Sequence, residues 1–269
     1  MAKDAKSAFC EDSRVKFPTL MHLMGMGFKY VSLKGLKTKY VEAPKTEFDP
    51  LTNILTDYFT DAYCTLNPKA EKKDAEDILV KIQKSLQNDD LGRQFYNEIL
   101  LNTGERIIDL SSPANFYRNN TFQVTTEMTC GSKDSDNYRP DITIFVNGLP
   151  LAFIEVKKEN NHKGIQAETD RMKQRFVNPQ YRRFLNITQI MVFSNDMEYD
   201  NNEVTPTIGA FYATIGKKNT KYNCFREEGQ DSFPTARHIH QVTPEEEEVL
   251  LRDNNVPQYK NSSEYKTNC

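Results

Sequence analysis

Residues 139–158 read RPDITIFVNGLPLAFIEVKK, and the fold turns on how this stretch is read. Two apolar runs, 142–146 and 151–156, flank Asn147-Gly148, a strong short-range signal for a hairpin. Six residues of the two runs are β-branched, and Phe145 and Phe153 add bulk suited to a pleated, half-buried surface. At the ends of these runs the chain places Asp141, Glu155 and Lys157. Charged side chains seldom occupy buried strands unless they are paired or hold a metal. That conflict between pattern and charge marks the place to look for function.

Two registers compete. A two-residue loop at Asn147-Gly148 pairs Val146 with Leu149 and sets Asp141 opposite Ile154. A three-residue turn, 147–149, moves the pairing by one and sets Asp141 opposite Glu155. The second gathers Ile142, Ile144 and Val146 on one face with Ala152, Ile154 and Val156. It leaves Asp141, Glu155 and Lys157 together on the other, the last two roughly 7 Å apart along the strand. We expect this second register.

Two carboxylates and an ammonium at that spacing suit one chemistry in particular. Carboxylate oxygens are hard ligands, and Mg²⁺ takes one or two of them while keeping several waters. The ion lowers the pKa of a bound water and offsets charge developing on a phosphoryl oxygen. A lysine two residues beyond the second acid can hold the attacking water or face the scissile phosphate. This is the PD-(D/E)xK nuclease pattern. The competing reading is an ordinary strand whose charged end reaches solvent.

RPDI followed by FVNGLPLAFIEVKK resembles the nuclease domain at the N-terminus of type I restriction enzyme motor (R) subunits. DSRVKFPTLMHLMGMGFKYVSLK, NNTFQVTTE and FLNITQIMVFSN resemble other segments of the same family, in the same order, from about Asp12 to about Arg226. The resemblance implies Mg²⁺ bound by Asp141 and Glu155 with the carbonyl of Val156, and Lys157 placing the water. It also implies an acidic residue near Asp12 lent to the metal from a helix, although Asp12 equally suits a helix cap. One feature departs from the family: its Gln-x-x-x-Tyr element is missing, because no Gln in IQAETDRMKQRF has a Tyr four residues on.

Composition sets the outer limits. The chain has 269 residues, 38% hydrophobic and 27% charged, an ordinary globular balance. Its net charge of −3 excludes a polycation, so any DNA contact must be a local patch. The five cysteines are widely spaced, with no C-x-x-C pair, which disfavours a zinc site or disulfide framework and suits a reducing cytoplasm. No apolar run is long enough for a signal peptide or a membrane span. No G-x-x-x-x-G-K-[ST] occurs, so ATP would act only through motor domains absent from this chain.

Outward from the hairpin, helices are expected over 12–27, 50–66, 72–88, 91–102 and 164–176. Strands are expected at 106–110, 121–129, 188–194, 208–215 and 222–226. Residues 117–120 suit a polar loop. The 188–194 run, reached across a helix, should lie parallel to the Lys157 strand. The region 157–183 is the most basic in the chain, and Lys158, Lys163, Arg171 and Arg175 are its candidate phosphate contacts. Arg171 and Arg175 lie one helical turn apart, a repulsion that a phosphate or Glu168 would relieve.

The expected fold is α/β, a mixed central sheet flanked by helices in a restriction-endonuclease-like core. A mainly helical portion spans 1–105, the nuclease core 106–230, and a polar tail toward motor domains 231–269. The expected partners are double-stranded DNA and the methyltransferase and specificity subunits of a type I complex, with no membrane. The rival readings are a non-catalytic module docking to that methyltransferase core, and a repair or junction-resolving nuclease of the same fold.

Overall fold

A computed structural model of the chain describes residues 11–33, 48–101, 104–130, 138–157, 164–195, 210–214, 223–224 and 240–254. A π-turn at Asp12–Lys16 runs into α1 (Phe17–Gly25), which carries Pro18 in its first turn, where a missing N–H costs nothing. The helix stops where Gly27 takes a left-handed φ of 96°. After β1 (Lys29–Tyr30) come α2 (Thr56–Leu66) and α3 (Lys72–Ser85), the latter opened by a reciprocal Glu71–Asp74 capping box. A π-turn at Phe95–Leu100 and α4 (Pro113–Asn119) lead into β2 (Phe122–Thr126), β3 (Ile142–Val146) and β4 (Leu149–Val156). Then follow α5 (Gly164–Val177), α6 (Arg182–Ile187), β5 (Ile190–Ser194), β6 (Ala210–Thr214), β7 (Asn223–Cys224) and α7 (Pro244–Asp253).

The strands form one seven-stranded sheet in chain order. β1 lies parallel to β2 and β4 parallel to β5; the other neighbours are antiparallel. The sheet is therefore mixed, as expected, and β5 runs parallel to β4 because α5 carries the chain back across the sheet.

The hairpin combines both competing registers. Val146 pairs with Leu149, so the turn is the two-residue loop, with Asn147 and Gly148 at φ of 52° and 76°. The pairing then slips by one between Ile144 and Phe145, so that Ile144 faces Ala152 and Ile142 faces Ile154. Leu151 is the extra residue. Pro150 beside it has no N–H to give to a ladder, which is why the bulge falls here. The slip that brings Asp141 level with Glu155 thus comes from the bulge and not from a three-residue turn. Gly148 is obligatory: a Cβ there would sit 2.5 Å from the Leu55 carbonyl oxygen.

Two expectations fail near this turn. Residues 106–110 form no strand: the Asn147 amide donates to Ile107 O at 2.8 Å and the Asn120 side chain accepts from Asp109 N at 2.9 Å. Side chains take the place of a ladder there, while Ile107 and Ile108 are buried for packing. Residues 117–120 fall in and just after α4, nucleated by the Ser112 cap and Pro113 rather than left as a loop.

Both faces of the sheet are covered. Ile142, Ile154 and Val156 pack with Phe17, Leu20 and Met24 of α1 and with Val249 and Leu250 of α7. Phe145, Phe153 and Phe193 pack on the other face with Met172 and Phe176 of α5 and Phe184 of α6. Within the acidic run 245–248, Glu245 and Glu248 are exposed, while Glu246 is buried and accepts the Thr243 N–H in the cap of α7. No helix among the described residues is long and apolar enough to cross a membrane.

Candidate active site

The site lies where β3 begins and β4 ends. Ile142 and Ile154 are cross-strand partners on one face, so Asp141 and Glu155, one step on, share the opposite face. That is the face of Phe153 and Phe193, closed by α5. Glu155 is buried, 5% exposed, between those aromatics and the helix. Asp141 accepts a hydrogen bond from the Val156 N–H at 2.9 Å, which pins the start of β3 to the end of β4. Lys157 folds back over the pair. Its ammonium donates to the Val156 carbonyl at 2.8 Å and lies 3.8 Å from Glu155 Oε2. The three residues singled out in the sequence therefore converge.

A third carboxylate completes the cluster. Glu168, on α5, is fully buried and faces the hairpin. Its oxygens lie 3.5 Å from the Lys157 ammonium, 3.1 Å from Arg171 and 2.9 Å from Arg175. Arg175 stacks its guanidinium 3.8 Å above the Tyr138 ring and reaches within 3.7 Å of Glu155 Oε1. Glu155 and Glu168 thus share three cations at the edge of a low-dielectric core, with Asp141 close enough to add its charge. The arrangement leaves Glu155 Oε1 and the Tyr138 hydroxyl buried without a hydrogen bond among the described residues. The Tyr138 hydroxyl is close enough to feel the Glu155 charge, yet neither atom completes a hydrogen bond of good geometry.

The electrostatics follow from that crowding. Burial first, then the charges of Asp141 and Glu168, push the Glu155 carboxyl up to about 8, against the pull of Lys157 and Arg175. Burial and the Glu155 charge hold the neighbouring Cys130 thiol and Tyr138 hydroxyl well above their ordinary values. Like charges brought close in this way cost stability unless a cation joins them. The donor set fits a hard divalent ion: the carboxylates of Asp141 and Glu155, the latter with one oxygen that accepts no hydrogen bond among the described residues, and the Val156 carbonyl. No three His, Cys, Asp or Glu side chains gather at metal-holding spacing among the described residues, so protein oxygens would supply only part of a shell.

Residues 9–204 match the family described as the type I restriction enzyme R protein N terminus. The chain belongs to that family. No curated protein gives a significant match.

In this R-protein N terminus the remaining candidates lie as follows. Asp12 is engaged by Lys16 at 2.8 Å, and the same ammonium, 2% exposed, bonds Glu127 at 2.9 Å. Burial alone would lower the Lys16 pKa, but its two acid partners win and raise it. The Glu127 N–H donates to the Asp141 carbonyl at 3.2 Å, so this second ion cluster abuts the first along the backbone. Arg171 has a side chain 61% exposed and open to a phosphate. Arg175, expected on the same surface, turns inward onto Tyr138 and Glu168. Lys158 and Lys163 lie outside the described residues. The inward role of Glu168 was not read from the sequence, although its spacing of three and seven residues from Arg171 and Arg175 was the available signal.

Proposed function

We propose that this chain is a nuclease domain that hydrolyses phosphodiesters of double-stranded DNA with Mg²⁺ and without sequence choice of its own. The observation that carries the reading is the convergence of Asp141, Glu155 and Lys157 where β3 begins and β4 ends, with Asp141 bonded by the Val156 N–H and the Lys157 ammonium 3.8 Å from Glu155 Oε2. Asp141, Glu155 and the Val156 carbonyl would hold the ion, while Asp12 is held by Lys16 at 2.8 Å and would have to leave that partner to join them. A bound Mg²⁺ would supply acidified water and offset phosphoryl charge. Lys157 then has two tasks: to orient water toward phosphorus and to meet negative charge as it develops on the phosphoryl oxygens. Hydrolysis adds water across one P–O bond, leaving a phosphate monoester and a hydroxyl.

Arg171, with Lys158 and Lys163, would track backbone phosphates, a contact that fixes position and carries no sequence information. In this reading target choice comes from a specificity subunit working with the methyltransferase, ATP acts only through motor domains, and the chain works in the cytoplasm. The test is Mg²⁺-dependent cleavage of circular DNA with motor domains and partner subunits present. Glu155→Gln and Lys157→Ala should each lower cleavage by at least about a hundred-fold. If both cleave like the parent while folding normally, the reading fails and a docking module for the methyltransferase core takes its place.

A further inference from the structure

We propose that Glu168 is a positioning residue that receives the Lys157 ammonium when a cation occupies Val156 O and Glu155, keeping that lysine at the reacting centre. This rests on the nuclease reading above and adds a carboxylate that the D…ExK pattern does not contain.

The argument starts from competition. The Lys157 ammonium donates to Val156 O at 2.8 Å and lies 3.8 Å from Glu155 Oε2, two of the atoms a metal would use. A divalent ion on those oxygens would repel an ammonium held 2.8 Å from one of them and 3.8 Å from the other, so metal entry would push the lysine aside. Glu168 Oε2, 3.5 Å from the ammonium, is a buried acceptor within the same short reach. Glu168 is itself fixed: Arg175 bonds its Oε1 at 2.9 Å and is clamped on the Tyr138 ring, while Arg171 bonds its Oε2 at 3.1 Å. A fully buried glutamate braced by two arginines is an expensive fixture for packing alone. The bracing is explained if the carboxylate must hold a third cation in place. Without it, a displaced Lys157 would either swing to solvent or stay on the metal's ligands.

The test measures Mn²⁺ affinity of the full chain by electron paramagnetic resonance for the parent, Glu168→Asp, Glu168→Gln, Lys157→Met and the Lys157→Met/Glu168→Gln double variant. Thermal melts run in parallel. Glu168→Asp keeps the charge and shortens the reach, so it separates position from charge. Both Glu168 variants should weaken Mn²⁺ binding by about ten-fold. That loss should shrink to less than about three-fold when Lys157 is already Met, since the coupling runs through the lysine. Single-turnover cleavage by Glu168→Asp, with motor and partner subunits restored, should fall about a hundred-fold at unchanged DNA affinity. Should Glu168→Gln not fold, the same comparison is made with Lys157→Met/Glu168→Asp. Equal losses with and without Lys157, or Glu168→Asp matching the parent, overturn the positioning role alone. Failure of the parent to bind Mn²⁺ overturns the nuclease reading and this inference with it.

Discussion

Neutralising Glu155 should make the metal-free protein more stable, and by an amount that depends on pH. The Glu155 carboxyl titrates near 8 in the folded chain against an ordinary 4.5, raised by burial and by Asp141 and Glu168. Between those values the folded protein holds a proton that the unfolded chain has released. A raised folded-state pKa therefore means that stability falls as pH climbs from about 4.5 to about 8, and is level beyond. At about 1.4 kcal/mol per unit, the penalty at pH 7 has an upper bound of about 3 kcal/mol, and at pH 5 about 1 kcal/mol. Asp141 and Glu168 bear part of the repulsion, so a gain of about 2 kcal/mol at pH 7 is the working value for Glu155→Gln. For a chain of this size that is about 4–8 °C in melting temperature. The assay is thermal unfolding of parent and variant in EDTA at pH 5, 7 and 8.5. The two curves should nearly meet at pH 5 and separate as pH rises. Adding Mg²⁺ should raise the parent and leave the variant almost unmoved, because the ion loses an anionic oxygen. A stability difference that stays constant across pH, or a variant less stable than the parent throughout, would refute the crowded-carboxylate account.

Other perturbations test other parts of the structure. Arg171→Ala should weaken binding to unrelated DNA duplexes alike and lower the salt slope of the affinity by about one, measured by fluorescence anisotropy across salt concentrations; an unchanged slope returns Arg171 to a solvated helix face. Lys16→Met strands Asp12 and Glu127 around an empty centre. A buried pair broken this way costs about 3–5 kcal/mol, but Glu127 is 45% exposed, so about 1–2 kcal/mol is expected from urea unfolding. Gly148→Ala drives a Cβ to 2.5 Å from Leu55 O at a positive φ, and a loss of at least about 2 kcal/mol should appear in the same experiment. A melt like the parent's would mean that the α2 start is not seated on the hairpin turn.

Much of the fold was legible because local chemistry and tertiary context agree. Asn147-Gly148 demanded a tight turn, the β-branched runs demanded strands, and the basic helix between 164 and 176 forced β5 to run parallel to β4. The same agreement placed Asp141, Glu155 and Lys157 on one side of the hairpin, since alternation is a property of any strand. Register was legible only in outcome. The sequence offered a two-residue or a three-residue turn, and the tertiary structure used the first with a bulge at Leu151, because Pro150 leaves a gap in the ladder. Residues 106–110 looked like a strand by apolar content, yet their backbone partners, Asn120 and Asn147, come from other segments. Periodicity cannot foresee hydrogen bonds made by distant side chains.

The ion cluster divides in the same way. Residue types and spacing determined that two acids and a lysine would meet, because a strand pair needs only its register to bring them level. Which further charges would join them depended on how α5 is laid across the sheet. On its own helix Glu168 is one more acid beside two arginines; packed over β4 it is a buried carboxylate holding Lys157, Arg171 and Arg175. Arg175 is likewise a surface cation by sequence and a clamp on Tyr138 by structure. Charge is written residue by residue, but the dielectric around it is set by neighbours far along the chain, and it is the dielectric that turns a solvated pair into a site.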